Sequence, residues 1–157
     1  MRFNEILHND IFIKKLAEIT QLERERKFCR HGIEHLFDVA RCACIISLEN
    51  KLGIDRDVIY AAALLHDIGR GEEYKNGTPH HIAGGAVAEK ILDHTSYNNE
   101  EKEEILKAVT AHRTKSDVYD LAGIIYMADK LTRTCFCCVA QDECNWSDEK
   151  KNFDMRY

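Results

Sequence analysis

The sequence predicts an all-α fold, on three observations. Only 1 Pro and 8 Gly punctuate 157 residues, too few for an architecture of short strands joined by frequent turns. Apolar residues recur at three- and four-residue steps through nearly the whole chain. Cap-forming Asn, Asp and Ser residues precede the periodic segments at the spacing that helix N-termini require. With 45% apolar residues, the chain is long enough to bury a core without covalent staples. It is expected to form one domain over residues 1–157, with a core at about 28–133 and a tail at 134–157.

About six helices are expected. The first runs from Asp10 to Glu25, capped by Asn9 or Asp10, with Ile11, Phe12, Leu16, Ile19 and Leu22 on one face. It follows a short amphipathic stretch, Phe3 to Leu7. The second starts at His31 or Gly32 and runs to Asn50, stopped by Gly53, with His31, His35, Val39, Cys42 and Ile46 facing inward. Asp55 caps the third, Asp57 to about Asp67, through the stripe Val58, Ala62 and Leu65. Residues 70–79 hold Gly71, Asn76-Gly77 and the only proline, so they read as the longest loop. The fourth helix runs from His80 to Leu92, and its Gly84-Gly85-Ala86 offers a low surface for a neighbouring helix. Asn98 or Asn99 caps the fifth, through His112. Ser116 or Asp117 opens the sixth, through about Arg133, along Leu121, Ile125, Ala128 and Asp129.

Charge narrows the partners. The 22 basic and 27 acidic residues leave −5 with His neutral, which disfavours polymeric nucleic acid because excess Lys and Arg are needed to displace phosphate counterions. No apolar run approaches the roughly 18 residues of a membrane span. Met1 to Asp10 has no apolar signal core, so a cytoplasmic location is expected and the 7 Cys read as thiols or ligands. Self-association is left open.

The informative feature is where polar residues interrupt apolar stripes. His35, His66-Asp67, His112 and Asp129 each sit on an inward face of a different helix. One such histidine is ordinarily a hydrogen-bonded core residue. Several in one small core would each need a separate partner, whereas a shared metal satisfies them together.

His35, His66-Asp67-Ile68-Gly69 preceded by Ala61-Ala62-Ala63-Leu64-Leu65, and Asp129, in that order, resemble the HD superfamily of metal-dependent phosphohydrolases over about residues 28–133. The resemblance implies that His35, His66, Asp67 and Asp129 bind a principal divalent metal. The pattern is also similar to the binuclear branch that includes bacterial dinucleoside tetraphosphate hydrolases. That branch implies a second ion held by His112 and by a histidine ahead of a Gly-Ala pair. His81, with Gly85 and Ala86, fits that offset better than its neighbour His80. Asp67 would then bridge.

Imidazole and carboxylate ligands suit Fe, Mn, Zn or Ni alike. Two ions roughly 3.5–4 Å apart can acidify water to a hydroxide that attacks phosphorus in line with the leaving oxygen. The expected substrate is small and phosphorylated, nucleotide-like, cleaved at a phosphoester or phosphoanhydride. Asp67 is expected at the reacting centre, Lys130 and Arg133 as phosphate clamps, and His31, one turn before His35, as a further phosphate contact. Arg70 could guard the entrance and Asp38 could orient an imidazole. The alternatives are a cyclic-nucleotide or RNA phosphodiesterase, and a non-catalytic metal-binding or redox-sensing interaction module. Cys135, Cys137, Cys138 and Cys144 could hold Zn or an Fe–S cluster, but Cys137 and Cys138 are adjacent and the C-x-x-C spacing is absent; buried thiols packing the tail are the preferred reading.

Overall fold

The computed structural model describes residues 1–115 and 118–157, and all regular structure among them is helical. The helices are α1 (Phe3–Leu7), α2 (Asp10–Leu22), α3 (Ile33–Glu49), α4 (Arg56–Leu65), α5 (Arg70–Asn76), α6 (His80–Leu92), α7 (Asn99–Ala111) and α8 (Leu121–Leu131). Two short 3-10 turns follow, Cys135–Cys137 and Gln141–Glu143.

Capping places the boundaries. Asn9 Oδ1 accepts from the Ile11 N–H at 2.9 Å, and Asp55 Oδ1 accepts from the Asp57 N–H at 2.7 Å. Asn98 and Glu101 form a reciprocal capping box at the start of α7. Asp120 caps α8 through the Gly123 N–H, so that helix opens at Leu121; the expected caps Ser116 and Asp117 lie outside the described residues.

One expectation is corrected. Residues 70–76 form α5 rather than loop. Glu72 and Glu73 occupy its first turn, where carboxylates oppose the helix dipole. The Asn-Gly and Pro signals mark its end: Gly77 adopts the left-handed φ of 78° that closes a helix, and Pro79 precedes α6.

Helix α4 lies at the centre. Val58, Ile59 and every residue from Ala61 to Leu65 are buried, the pattern of a helix covered on all sides. It packs against α1, α3, α7 and α8, while α5 bridges α2 and α6. The run of alanines lets neighbouring helices approach closely, and the helix delivers His66 and Asp67 into the interior at its C-terminal end. Beyond it, Gly69 meets α6 backbone to backbone. A Cβ on Gly69 would stand 2.2 Å from the His80 carbonyl oxygen and 2.4 Å from the Gly84 nitrogen, so only glycine permits the crossing.

The tail is tied back to α8. Asn152 Nδ2 donates to the carbonyls of Leu131 at 2.6 Å and Arg133 at 3.0 Å, and Glu143 pairs with Lys27 in the α2–α3 connection. No helix among the described residues is long and apolar enough to cross a membrane.

Candidate metal centre

Asp67 is 1% exposed and turns its two oxygens toward different groups of ligand atoms. On the Oδ2 side, His66 Nε2 lies at 3.1 Å and His35 Nε2 at 3.7 Å. Asp129 completes this group, its Oδ1 at 3.2 Å from His35 Nε2 and 3.9 Å from His66 Nε2. Helices α3, α4 and α8 thus bring His35, His66, Asp67 and Asp129 together, with all four ligand atoms within 4.8 Å of one another.

On the Oδ1 side stand His80 at 3.2 Å and His112 at 3.8 Å, the first opening α6 and the second capping α7. Asp67 belongs to both groups.

Hydrogen bonds to the far ring nitrogens decide what each imidazole offers. His66 Nδ1 donates to the Ala63 carbonyl at 2.7 Å, and His112 Nδ1 to the Val109 carbonyl at 2.6 Å. His80 Nδ1 donates to Glu73 Oε2 at 2.8 Å. Burial pushes the His80 imidazole down to about 4, helped by the Arg70 charge, and burial with the His66 charge pushes His112 down to about 3. Both rings are therefore neutral at pH 7 and turn bare Nε2 lone pairs inward. For His66, burial pulls the imidazole down but the charges of Asp67 and Asp129 pull it up further. The group thus calls for a positive charge where those atoms meet.

Two buried atoms at this point, His66 Nε2 and Asp67 Oδ2, find no hydrogen-bond partner among the described residues. Unpaired polar atoms in a desolvated pocket are costly unless a cation unites them. The residues present fit divalent metal: imidazole nitrogens oriented by backbone carbonyls or carboxylate, and carboxylates whose pKa is held low. Burial alone would raise the carboxyls of Asp67 and Asp129. The His66 and Arg70 charges hold Asp67 well below the ordinary range, and a His35 hydrogen bond with the Arg133 charge does the same for Asp129.

Three cationic side chains border the ligand set. Arg70 Nε donates to Asp67 Oδ1 at 2.9 Å and its Nη1 to Glu73 Oε2 at 3.0 Å, so it sits on the Asp67 carboxylate rather than at an entrance. Arg133 Nη2 lies 2.9 Å from both Asp129 Oδ1 and His35 Nε2. Lys130 pairs with Asp129 Oδ2 and remains partly exposed. His31 is buried with its Nε2 3.9 Å from Asp67 Oδ2. Its Nδ1 bonds Glu23, which also accepts the His31 backbone N–H at 2.6 Å and the Tyr74 hydroxyl at 2.5 Å.

The geometry corrects the choice between the adjacent histidines. His80, rather than the expected His81, joins Asp67 and His112, because the Gly69–Gly84 crossing sets the register of α6 and turns residue 80 inward. The His81 ring centre lies 6.4 Å from that of His112, outside the ligand group. Asp38 is exposed and pairs with Arg41 at 3.4 Å, so it orients no imidazole of the site. His8 and His94 are exposed. Among the described residues, the groups of three or more candidate ligands are these two, and neither contains a cysteine. In the tail Cys135 is buried and Cys137 exposed.

Two residues were not expected at the site. Glu23 reads in sequence as one acid within a basic run, and Glu73 lies in the segment that reads as loop. The signal for Glu73 was its place in the first turn after Gly69, on the face carrying Arg70.

Comparison with known proteins agrees with this geometry. The HD domain family matches residues 32–134. An uncharacterized protein of Clostridium beijerinckii is 46% identical over 99% of both chains. Ribonuclease Y of Mycoplasma mycoides is 27% identical over 82% of this chain, and that of Clostridium perfringens (strain SM101 / Type A) 28% over 78%. The chain spans only 28% and 21% of those two enzymes. The crystal structure of a predicted HD superfamily hydrolase from an uncultured Thermotogales bacterium superposes with a TM-score of 0.64 at 26% identity, covering 90% of this chain and 81% of that one. With the family pattern spanning α3 to α8 and its His and Asp residues gathered at one buried point, the chain belongs to the HD domain family.

Proposed function

We propose that this protein is a metal-dependent phosphohydrolase acting on a small, nucleotide-like phosphoester or phosphoanhydride. His35, His66, Asp67 and Asp129 would hold one divalent transition-metal ion, and Asp67, His80 and His112 a second. The observation that carries the reading is the Asp67 carboxylate, shared by two groups of converging acceptor atoms. Such ions supply Lewis acidity toward phosphate oxygens and acidity to a water molecule.

The chain's own residues would do the rest. Lys130 and Arg133, now lying on Asp129, would turn onto the substrate phosphate, the first as a point charge and the second as a planar fork. With its Nδ1 held by Glu23, His31 directs Nε2 to the same space and would donate to a phosphate oxygen only as the imidazolium. This local positive charge lets a chain of net charge −5 bind an anion.

The similarity to ribonuclease Y favours a second reading, phosphodiester cleavage of RNA or cyclic nucleotides. One panel separates them. The purified protein, supplied with manganese or ferrous iron, is assayed on nucleoside monophosphates, dinucleoside polyphosphates, cyclic nucleotides, short RNA and a generic ester. Phosphate release from the first two groups, lost in Asp67→Ala, is the expected result. Cleavage confined to diesters would establish the second reading. Stoichiometric metal without turnover on any substrate would make the protein a metal-binding module.

A further inference from the structure

We infer that Trp146 and Tyr126 form a nucleobase-stacking subsite beside the metal centre, supplied in part by the Cys-rich tail. Lys130 Nζ lies 5.4 Å from the ring centre of Tyr126 and 5.8 Å from that of Trp146, while the same ammonium touches Asp129 Oδ2. The order from the ligand carboxylate outward is therefore carboxylate, cation, aromatic faces. A nucleotide presents the complementary order of phosphate, sugar and base.

Both rings are only half-buried, so neither is consumed by the core. Trp146 is nevertheless held in place, because Asn152 ties the tail to the end of α8 and Glu143 ties it to Lys27. Base–aromatic stacking tolerates every base, since each has a π face, so the ligand class is a purine or pyrimidine nucleotide. Trp146 also lies outside the segment that the HD family matches, residues 32–134, where a chain can acquire a substrate preference without disturbing its ligand set. The inference rests on the hydrolase reading for the position of the phosphate, but not for the stacking itself.

The test exploits the 1 Trp of the chain, whose emission reports this ring alone when excited where tyrosine does not absorb. The protein is titrated with each nucleoside monophosphate, with adenosine, and with glycerol 3-phosphate as a phosphate lacking a base. Saturable quenching by the nucleotides and by adenosine, with none by glycerol 3-phosphate, is expected. In the kinetic arm, Trp146→Ala should raise KM for a nucleotide about tenfold. It should leave kcat, and KM for a base-free ester, unchanged, and Trp146→Phe should restore most of the loss. Thermal unfolding of both variants checks that the tail still docks. Absence of quenching, or equal KM changes for both kinds of ester, overturns the subsite. Quenching without turnover on any substrate would retain the subsite and remove the hydrolase reading; turnover without quenching would do the reverse.

Discussion

The Nε2 atoms of His80 and His112 face each other at 3.1 Å, with their Nδ1–H groups committed elsewhere, to Glu73 and to the Val109 carbonyl. Two neutral imidazoles in that arrangement oppose lone pairs with no proton between them, and Asp67 Oδ1 adds a third acceptor. A divalent ion at this point removes the conflict. His80→Ala and His112→Ala are therefore each expected to lower bound metal by about one ion per chain by elemental analysis, while His81→Ala retains the full content and Asp67→Ala loses both ions. Equal loss from His81→Ala would reverse the choice of histidine.

Glu73 acts one bond further out. By accepting from His80 Nδ1 it fixes the tautomer that faces Asp67, and an amide in its place holds the ring less firmly. Glu73→Gln should weaken the second ion by about 10–100-fold in a competition titration with a chelator. With the second ion absent, affinity for the ion at His35, His66, Asp67 and Asp129 should be unchanged.

The contact between Gly69 and α6 makes a structural prediction. A methyl group on Gly69 must displace backbone atoms of His80 and Gly84 rather than a flexible side chain. Gly69→Ala should cost about 3 kcal/mol, near the upper end for overpacking. In calorimetry that is a fall in Tm of roughly 6–12 °C for a chain of this size. Loss of the second ion should accompany it, because the same shift moves His80.

Acid should expose the Glu23 cluster. Burial alone would raise this carboxyl, but hydrogen bonds from His31 and Tyr74 pull it from 4.5 down to about 2. A carboxyl depressed on folding adds stability that is complete above its unfolded pKa and vanishes as pH falls through the folded one. The window is thus about pH 4.5 to 2, and the amount about 3 kcal/mol. Urea titrations across that window should show a shallower acid loss for Glu23→Gln than for the wild type, together with lower stability at pH 7. Parallel acid profiles would mean that Glu23 is not held as a carboxylate.

Much of this site was legible because helices make buried polar residues conspicuous. His35, His66, Asp67, His112 and Asp129 interrupt apolar stripes, and the structure gathers all five. The choice at residues 80 and 81 was not legible. Each has a glycine four positions on, Gly84 or Gly85, and adjacent helical residues diverge by about 100°. Only the tertiary crossing with Gly69 selects one. Glu73 was hidden by turn residues that belong to the end of α5, not to its body. Glu23 was hidden by its charged neighbours, since nothing local marks which member of a charge run folds inward.

Asp67 has a consequence for how metal would enter. A single carboxylate that serves both groups cannot present them as independent equilibria. The first ion to bind would pin the orientation of that carboxylate and withdraw part of its charge, so a second would meet an altered partner. Linkage makes the effect reciprocal: whatever factor the first ion imposes on the second, the second imposes on the first. If both groups hold metal, loading would therefore be a coupled property of the pair, and a single intrinsic affinity would not describe it.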